Sequence, residues 1–218
     1  MSWRAYETAA ARYDAWYATP RGQRVDREER ILLDWLLAPL GPIDGLLDVG
    51  CGTGHFTGWL RGRRRGVIGL DRSPAMVREL RARRPGIPVV IGDAERLPFR
   101  ARSVDVALFV TALEFVDDPA TALSEAAEVA RRGIVVVALN RWSAGGLSRR
   151  CGPQARSRLR GRAHDWSLRA LREVLRAAAG PRLRDVRWAS TLLPGRLWPY
   201  RSSIPMGDVI GVAGLLGP

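Results

Sequence analysis

The chain has 218 residues, 46% of them hydrophobic, and a formal net charge of +13. That length suits one domain able to bury a core of its own, and no apolar run approaches the ~18 residues a membrane span requires. All 35 basic side chains are arginine, and Asn140 is the sole asparagine among many Ala, Gly and Pro, so most of the positive balance reads as codon drift in a GC-rich genome rather than a nucleic-acid footprint.

The opening, MSWRAYETAAARYDAWY, has no basic stretch leading into an apolar one, which argues against a secretory signal; a cytoplasmic protein is the expectation. Residues 1–40 read as helices. TPRG (19–22) is a break, with Pro20 and Gly22 ending a first helix. In VDREERILLDWLL (25–37), Val25, Ile31, Leu32, Trp35 and Leu36 recur largely on one helical face. From residue 46 the pattern alternates. Short apolar runs at 46–50, 66–70, 87–91, 104–110 and 133–139 are separated by helix-like segments near 54–63, 74–84 and 119–131. Such alternation predicts βαβ units and a parallel sheet covered on both faces. SLRALREVLRAAAG (167–180) is a helix with Ser167 as N-cap and Gly180 just beyond its end. Two strand-like runs, 183–190 and 208–213, close the chain without a helical pattern between them, so they pair antiparallel or leave the sheet. Cys51 and Cys151 lie far apart and make neither a metal-ligand spacing nor a disulfide framework.

The run LLDVGCGTGHF (46–56) carries the chemistry. Gly50, Gly52 and Gly54 form a loop between strand and helix whose backbone can approach a ligand closely. A dinucleotide domain uses a similar loop to seat a pyrophosphate, but Asp48 beside it would repel that group. The acid suits a ligand that is cationic near the loop, or else hydrogen-bonds the loop's own amides; the two roles are compatible. Asp71 follows the second strand, placed to accept from both hydroxyls of a ribose. Asp93 follows the third, where it could accept from the exocyclic amine of an adenine. Each acid alone could be a helix N-cap, and Ser73 with Pro74 makes a good N-cap and N1 pair. Three acids on successive strands at the binding crevice of an open sheet describe a positive centre, a ribose and an adenine.

The chain resembles a class I S-adenosylmethionine-dependent methyltransferase of the small-molecule type, similar to quinone-biosynthesis methyltransferases. The residues that carry the resemblance are LLDVGCGTGHF (46–56), GLDRSPAMV (69–77), GDAERLPFRARSVDVALFVTALEFVDDP (92–119) and RRGIVVVAL (131–139), together with YDAWYATPRG (13–22) as an N-terminal cap. The resemblance implies an α/β, three-layer Rossmann-like sandwich with a seven-stranded, mostly parallel sheet in the order 3-2-1-4-5-7-6, strand 7 antiparallel. A single domain over 1–218 is expected, with 1–40 as a helical cap; the arginine-rich loop 141–166, which follows strand 5 and so hangs over the acceptor side, departs most from the family's pattern. Asp48, Gly50, Gly52 and Gly54 would hold the methionyl part of the cofactor. Asp71 would take the ribose, Arg72 and Met76 would flank the adenine, and Asp93 with Ala94 would bind its edge. Thr111 and Leu113 would sit near the methyl donor, and Tyr13 and Tyr17 would close over the site. Cys51 is a small loop residue with a structural role.

Candidate general bases are few: His164 in the loop before helix 167–180, and Glu114 after strand 4, while His55 starts the helix behind the glycine loop. RWSAGGLSRRCGPQARSRLRGRAHDW (141–166) has seven arginines and no acid before Asp165. It reads as a lid gripping an anionic acceptor (a phosphate, a carboxylate or an RNA backbone) or as a solvated loop enriched in arginine by drift. Trp198 and Tyr200 in the 192–207 insert could line an acceptor pocket. Strand 4 continues into VTAL, without the Asn/Asp-Pro-Pro-aromatic tetrapeptide of amino-methylation of bases, and no cysteine near strands 4 or 5 is placed for pyrimidine C5 chemistry. The expected activity is methyl transfer to a small molecule. Its rivals are an RNA methyltransferase and a catalytically silent binding domain.

Overall fold

The computed structural model describes residues 10–151, 164–192 and 202–217. A short helix α1 (Ala10–Tyr13) and a 3-10 turn (Asp14–Trp16) precede α2 (Pro20–Leu37). The break at TPRG is present, but Pro20 and Gly22 open the second helix instead of ending the first. Thr19 is the N-cap, its hydroxyl accepting from Gly22 N at 3.0 Å, and Pro20 sits in the first turn, where its missing N–H is no loss. A Cβ at residue 22 would stand 2.1 Å from the Trp16 carbonyl oxygen, so only glycine lets the chain fold back this tightly.

Strands β1 (Leu46–Val49), β2 (Val67–Asp71), β3 (Val89–Ile91), β4 (Val104–Val110), β5 (Ala130–Leu139), β6 (Leu183–Thr191) and β7 (Val209–Leu216) make one sheet, ordered β3-β2-β1-β4-β5-β7-β6. The first five are mutually parallel, and β7 runs antiparallel to both β5 and β6. The two closing runs therefore pair as the missing crossover pattern requires, from Leu183↔Leu216 to Thr191↔Val209 with a register shift between Leu183 and Asp185. Helices α3 (His55–Arg61), α4 (Pro74–Arg83) and α5 (Pro119–Val129) connect the parallel strands.

Period-two alternation divides the core. Leu46, Val106, Leu108 and Val135 pack with Leu32, Leu33 and Leu36 of α2 and with Phe56 and Leu60 of α3. Leu47, Phe109, Ile134 and Val136 face the other way, onto Leu123 of α5 and onto Leu171 and Leu175 of α7 (Leu168–Ala179). The central strands are buried on both faces, which explains their nearly continuous apolar runs, while the edge strands β3 and β6 are partly exposed.

The arginine-rich segment is not wholly a loop. Its first part forms α6 (Ala144–Cys151), started by Ser143, whose hydroxyl accepts from Gly146 N at 2.9 Å. Its end returns to the sheet, with Trp166 N donating to Leu139 O at 2.8 Å and Arg141 N donating to Trp166 O at 2.9 Å. Arg156, Arg158, Arg160 and Arg162 lie outside the described residues, as do Trp198 and Tyr200. Asn140, the only asparagine, is buried and fully used. Its amide nitrogen donates to Pro205 O and Gly207 O at 3.0 and 2.8 Å, and its side-chain oxygen accepts from Trp142 N at 3.0 Å. It ties the end of β5 to the approach to β7.

Candidate functional site

β1 ends at Val49, and the chain then turns through Gly50, Gly52 and Gly54 with φ of +74°, +55° and +79°. A Cβ at Gly50 would lie 2.5 Å from that of Ala112, so the bare backbone is what brings the loop against the end of β4. Gly50 N and Cys51 N both donate to Leu70 O, at 2.7 and 3.0 Å.

Asp71 holds the loop from the neighbouring strand. Its Oδ2 accepts from Gly52 N at 2.7 Å and its Oδ1 from Ser73 N at 2.8 Å. Ser73 caps α4 by accepting from Met76 N at 3.2 Å, which sets Met76 beside the loop. At the tip of β3, Asp93 accepts from Glu95 N at 3.1 Å, and Arg72 reaches both Asp93 at 3.4 Å and Asp117 at 3.7 Å. These groups surround a cleft of about 770 Å³, its open mouth included, at the carboxyl ends of β1 to β4. The size suits a nucleoside-sized ligand.

Tyr13, Gly50, Gly52, Asp71 and Arg72 line this cleft, as do Met76, Asp93, Ala94 and Thr111. Thr111 has φ +47°, an uncommon value for a branched residue, held by its N–H donating to Val137 O at 2.8 Å. Five other expected residues stand behind the wall. Leu113 is buried, and Gly54 backs onto Leu80, where a Cβ would come within 2.8 Å. Cys51 is buried with its thiol pKa pushed up by burial. Tyr17 stacks on His55 with ring centroids 3.7 Å apart.

Asp48 is only 2% exposed and accepts from Thr57 Oγ1 at 2.6 Å, which pins the start of α3. Burial pushes its pKa up to about 6, against the Thr57 hydrogen bond and with a small addition from Asp71. Asp48 therefore stands behind the cleft wall and ties β1 to α3.

The two candidate bases are brought together, but by backbone. His164 N donates to Glu114 O at 2.9 Å, while the buried Glu114 side chain accepts from Leu139 N at 2.6 Å. His55 is engaged as well: its Nε2 lies 2.7 Å from Asp26 Oδ1, and burial lowers its pKa.

Sequence reasoning missed the latch that holds the N-terminal cap on the loop. Thr53 Oγ1 donates to Asp14 Oδ1. Arg84 Nη1 donates to Thr53 O at 2.8 Å, and both terminal nitrogens of Arg84 reach Asp14 Oδ2 at 3.1 Å. Phe115 and Val116, which add apolar wall, were also missed. Their only signal was an apolar pair continuing past a strand that had already ended.

A sheet of this order, with its crevice over a glycine loop and acids on successive strand tips, defines a class. Residues 47–138 match the model of the methyltransferase domain family. Malonyl-[acyl-carrier protein] O-methyltransferase of Serratia marcescens is 33% identical over 133 residues, which is 61% of this chain and 49% of that one. The chain spans about half the length, or less, of the curated relatives it matches. A solved Thermotoga maritima methyltransferase, described as a possible histamine N-methyltransferase, is 26% identical with TM-score 0.78 over 99% of both chains. The fold is also that of magnesium protoporphyrin IX methyltransferase from Synechocystis, solved with bound S-adenosylhomocysteine, at 18% identity and TM-score 0.68, with 98% and 97% of the two chains covered. The fold is that of the class I S-adenosylmethionine-dependent methyltransferases, and residues 47–138 carry the methyltransferase domain pattern.

The latch makes a specific expectation. Arg84→Ala should weaken binding of S-adenosylhomocysteine by on the order of tenfold, the loss of about one charge-assisted hydrogen bond, although Arg84 is not in the cleft wall. Calorimetric titration of the variant checks it; wild-type affinity would show that the cap does not depend on the latch.

Proposed function

We propose that the protein transfers a methyl group from S-adenosylmethionine to a small-molecule acceptor, aligned for in-line displacement and driven mainly by positioning. The observation that carries this reading is the cleft itself, with Gly50, Gly52, Asp71, Asp93 and Thr111 converging at the carboxyl ends of successive strands. When bound, the cofactor supplies an electrophilic methyl on a sulfonium. The chain's part is to hold and screen. Asp71 accepts from the Gly52 and Ser73 amides, one on each oxygen, and the same carboxylate would take the ribose hydroxyls. Arg72 and Met76 flank the adenine, and Asp93 and Ala94 meet its edge. The glycine loop lies along the methionyl part, with the negative field of Asp48 behind it. Thr111 and the backing Leu113 shape the donor end, and Tyr13 closes it from above. Orientation of this kind can supply as much as ~7–11 kcal/mol of the barrier.

A small acceptor suits this arrangement because Tyr13 lines the cleft and the neighbouring Asp14 is tied to the glycine loop. The relatives with named acceptors fit the same scale: one is a malonyl-carrier O-methyltransferase and another is described as a possible histamine N-methyltransferase. The test is a screen of acceptors with methyl-labelled cofactor, run beside an RNA-binding titration at low and physiological salt. Label should move to small molecules. Tight RNA binding whose affinity falls by orders of magnitude with salt would instead favour a nucleic-acid substrate.

A further inference from the structure

Away from the cofactor cleft, a second groove of about 1180 Å³, its open mouth included, runs beside α7. The sequence builds it from two sides. α7 turns Leu171 and Leu175 into the core, and helical spacing then sets Arg169, Arg172 and Arg176 together on another face, where they line the groove. The other wall comes from the end of β5 and the approach to β7. Trp142 lies just beyond Leu139, and Pro205 and Met206 just before Val209. Asn140 joins these two stretches, its amide nitrogen donating to Pro205 O and Gly207 O.

Each wall leaves something unmet. Trp142 is 62% exposed and Met206 58%, a large apolar surface to hold in water. Arg169 is engaged by Glu173 at 2.7 Å, but among the described residues Arg172 and Arg176 form no ion pair, and Arg172 Nε is buried without a hydrogen-bond partner. Arg141 lies over the Trp142 ring at 5.2 Å, so positive charge stands on both sides of the apolar shelf.

We propose that this groove is a second ligand site and that it takes a soluble amphipathic anion, with a carboxylate or phosphate head on Arg172 and Arg176 and an apolar tail laid over Trp142, Leu168 and Met206. A guanidinium fork matches the paired oxygens of such a head, which also gives Arg172 Nε the acceptor it lacks. Methionine adapts to the shape of a chain or ring laid on it. An amphipathic cation would meet the arginines as repulsion, and a neutral molecule would cover them without pairing them. The concave form favours a single molecule over a membrane face, which would rest on the rim and leave the buried Nε unreached. The groove and the cofactor cleft share no described lining residue, so this site goes beyond the methyltransferase reading and does not depend on which acceptor is methylated.

The test titrates octanoate and octyl phosphate into the full chain at neutral pH, beside octylamine, 1-octanol and acetate, with calorimetric readout. One or both anions should bind roughly tenfold or more tightly than the other three compounds. Replacing Arg172 and Arg176 together by Gln should abolish that preference and leave S-adenosylhomocysteine affinity unchanged. Arg176→Glu alone, at an exposed position, should weaken the anion as well, which keeps the test decisive if the double variant fails to fold. Equal binding of octanoate and 1-octanol would overturn the proposal by removing the head's role, and acetate binding as tightly as octanoate would overturn it by removing the tail's. A preference that survives both the double change and Arg176→Glu would place the anion elsewhere and overturn it too. So would sedimentation with phosphatidylglycerol vesicles in the absence of any binding of the free anions, a result that would assign the face to a membrane surface.

Discussion

Asp71→Ala is expected to lower affinity for S-adenosylmethionine and S-adenosylhomocysteine by a hundredfold or more. Two losses combine. The first is the charge-assisted acceptor offered to the ribose, worth about 1.5–3 kcal/mol. The second is internal: Gly52 N and Ser73 N both donate to this carboxylate, so its removal strands two amides and loosens the glycine loop. Each 1.4 kcal/mol is about tenfold in affinity, which sets the scale. Asp71→Asn should fall between wild type and alanine, because an amide keeps one acceptor oxygen and can satisfy Gly52 or Ser73 but not both. Calorimetry with both ligands measures the effect. Wild-type affinity in Asp71→Ala would remove Asp71 from the site.

Stability should fall as pH rises from about 4.5 to about 8, and Glu29→Gln should remove much of that fall. The sign follows from linkage. Glu29 has its pKa raised from 4.5 to about 8 in the folded chain, by burial first and then by Asp26 and Glu114. Below pH 4.5 both states hold the proton and nothing is lost. Between the two values the unfolded chain gives up its proton while the folded one keeps it, so unfolding gains with every step in pH. The upper bound is roughly 4–5 kcal/mol at 1.36 kcal/mol per unit. Asp48, raised from 3.8 to about 6, adds a loss of the same sign at the acidic end of the window. A glutamine at 29 cannot ionise in either state, so the variant's midpoint in urea should exceed the wild type's at pH 8 and differ little at pH 4. A Glu29→Gln curve that parallels the wild type from pH 5 to 9 would show that Glu29 titrates normally.

These two predictions draw on different kinds of information. Asp71 was legible in the sequence. An acid at the tip of the second apolar run, after a glycine loop at the tip of the first, is a statement about strand ends, and strand ends follow from period and punctuation. The same holds for the sheet. Alternating runs and helices fixed five parallel strands, and the tail without a helical pattern fixed the antiparallel pair of β6 and β7. Ser73, Pro74, Ser167 and Gly180 mark helix ends where capping chemistry says they should.

Glu29 was not legible, and neither was the latch. Glu28 and Glu29 look alike in VDREERILL, yet among the described residues one is bound by three donors and the other by none. What separates them is where the end of β6 falls, more than 160 residues further along the chain. Asp14 and Arg84 meet across 70 positions for the same reason. Asp48 shows the limit from the other side: its place at the strand end was foreseen, but whether it faces the ligand or Thr57 depends on how α3 packs behind the loop. By itself the sequence determined the order of elements and the glycine loop at the tip of the first strand, because these follow from local periodicity and backbone sterics. The tertiary structure alone decided which buried charge is satisfied and which is left open, because that depends on which distant donors arrive beside it.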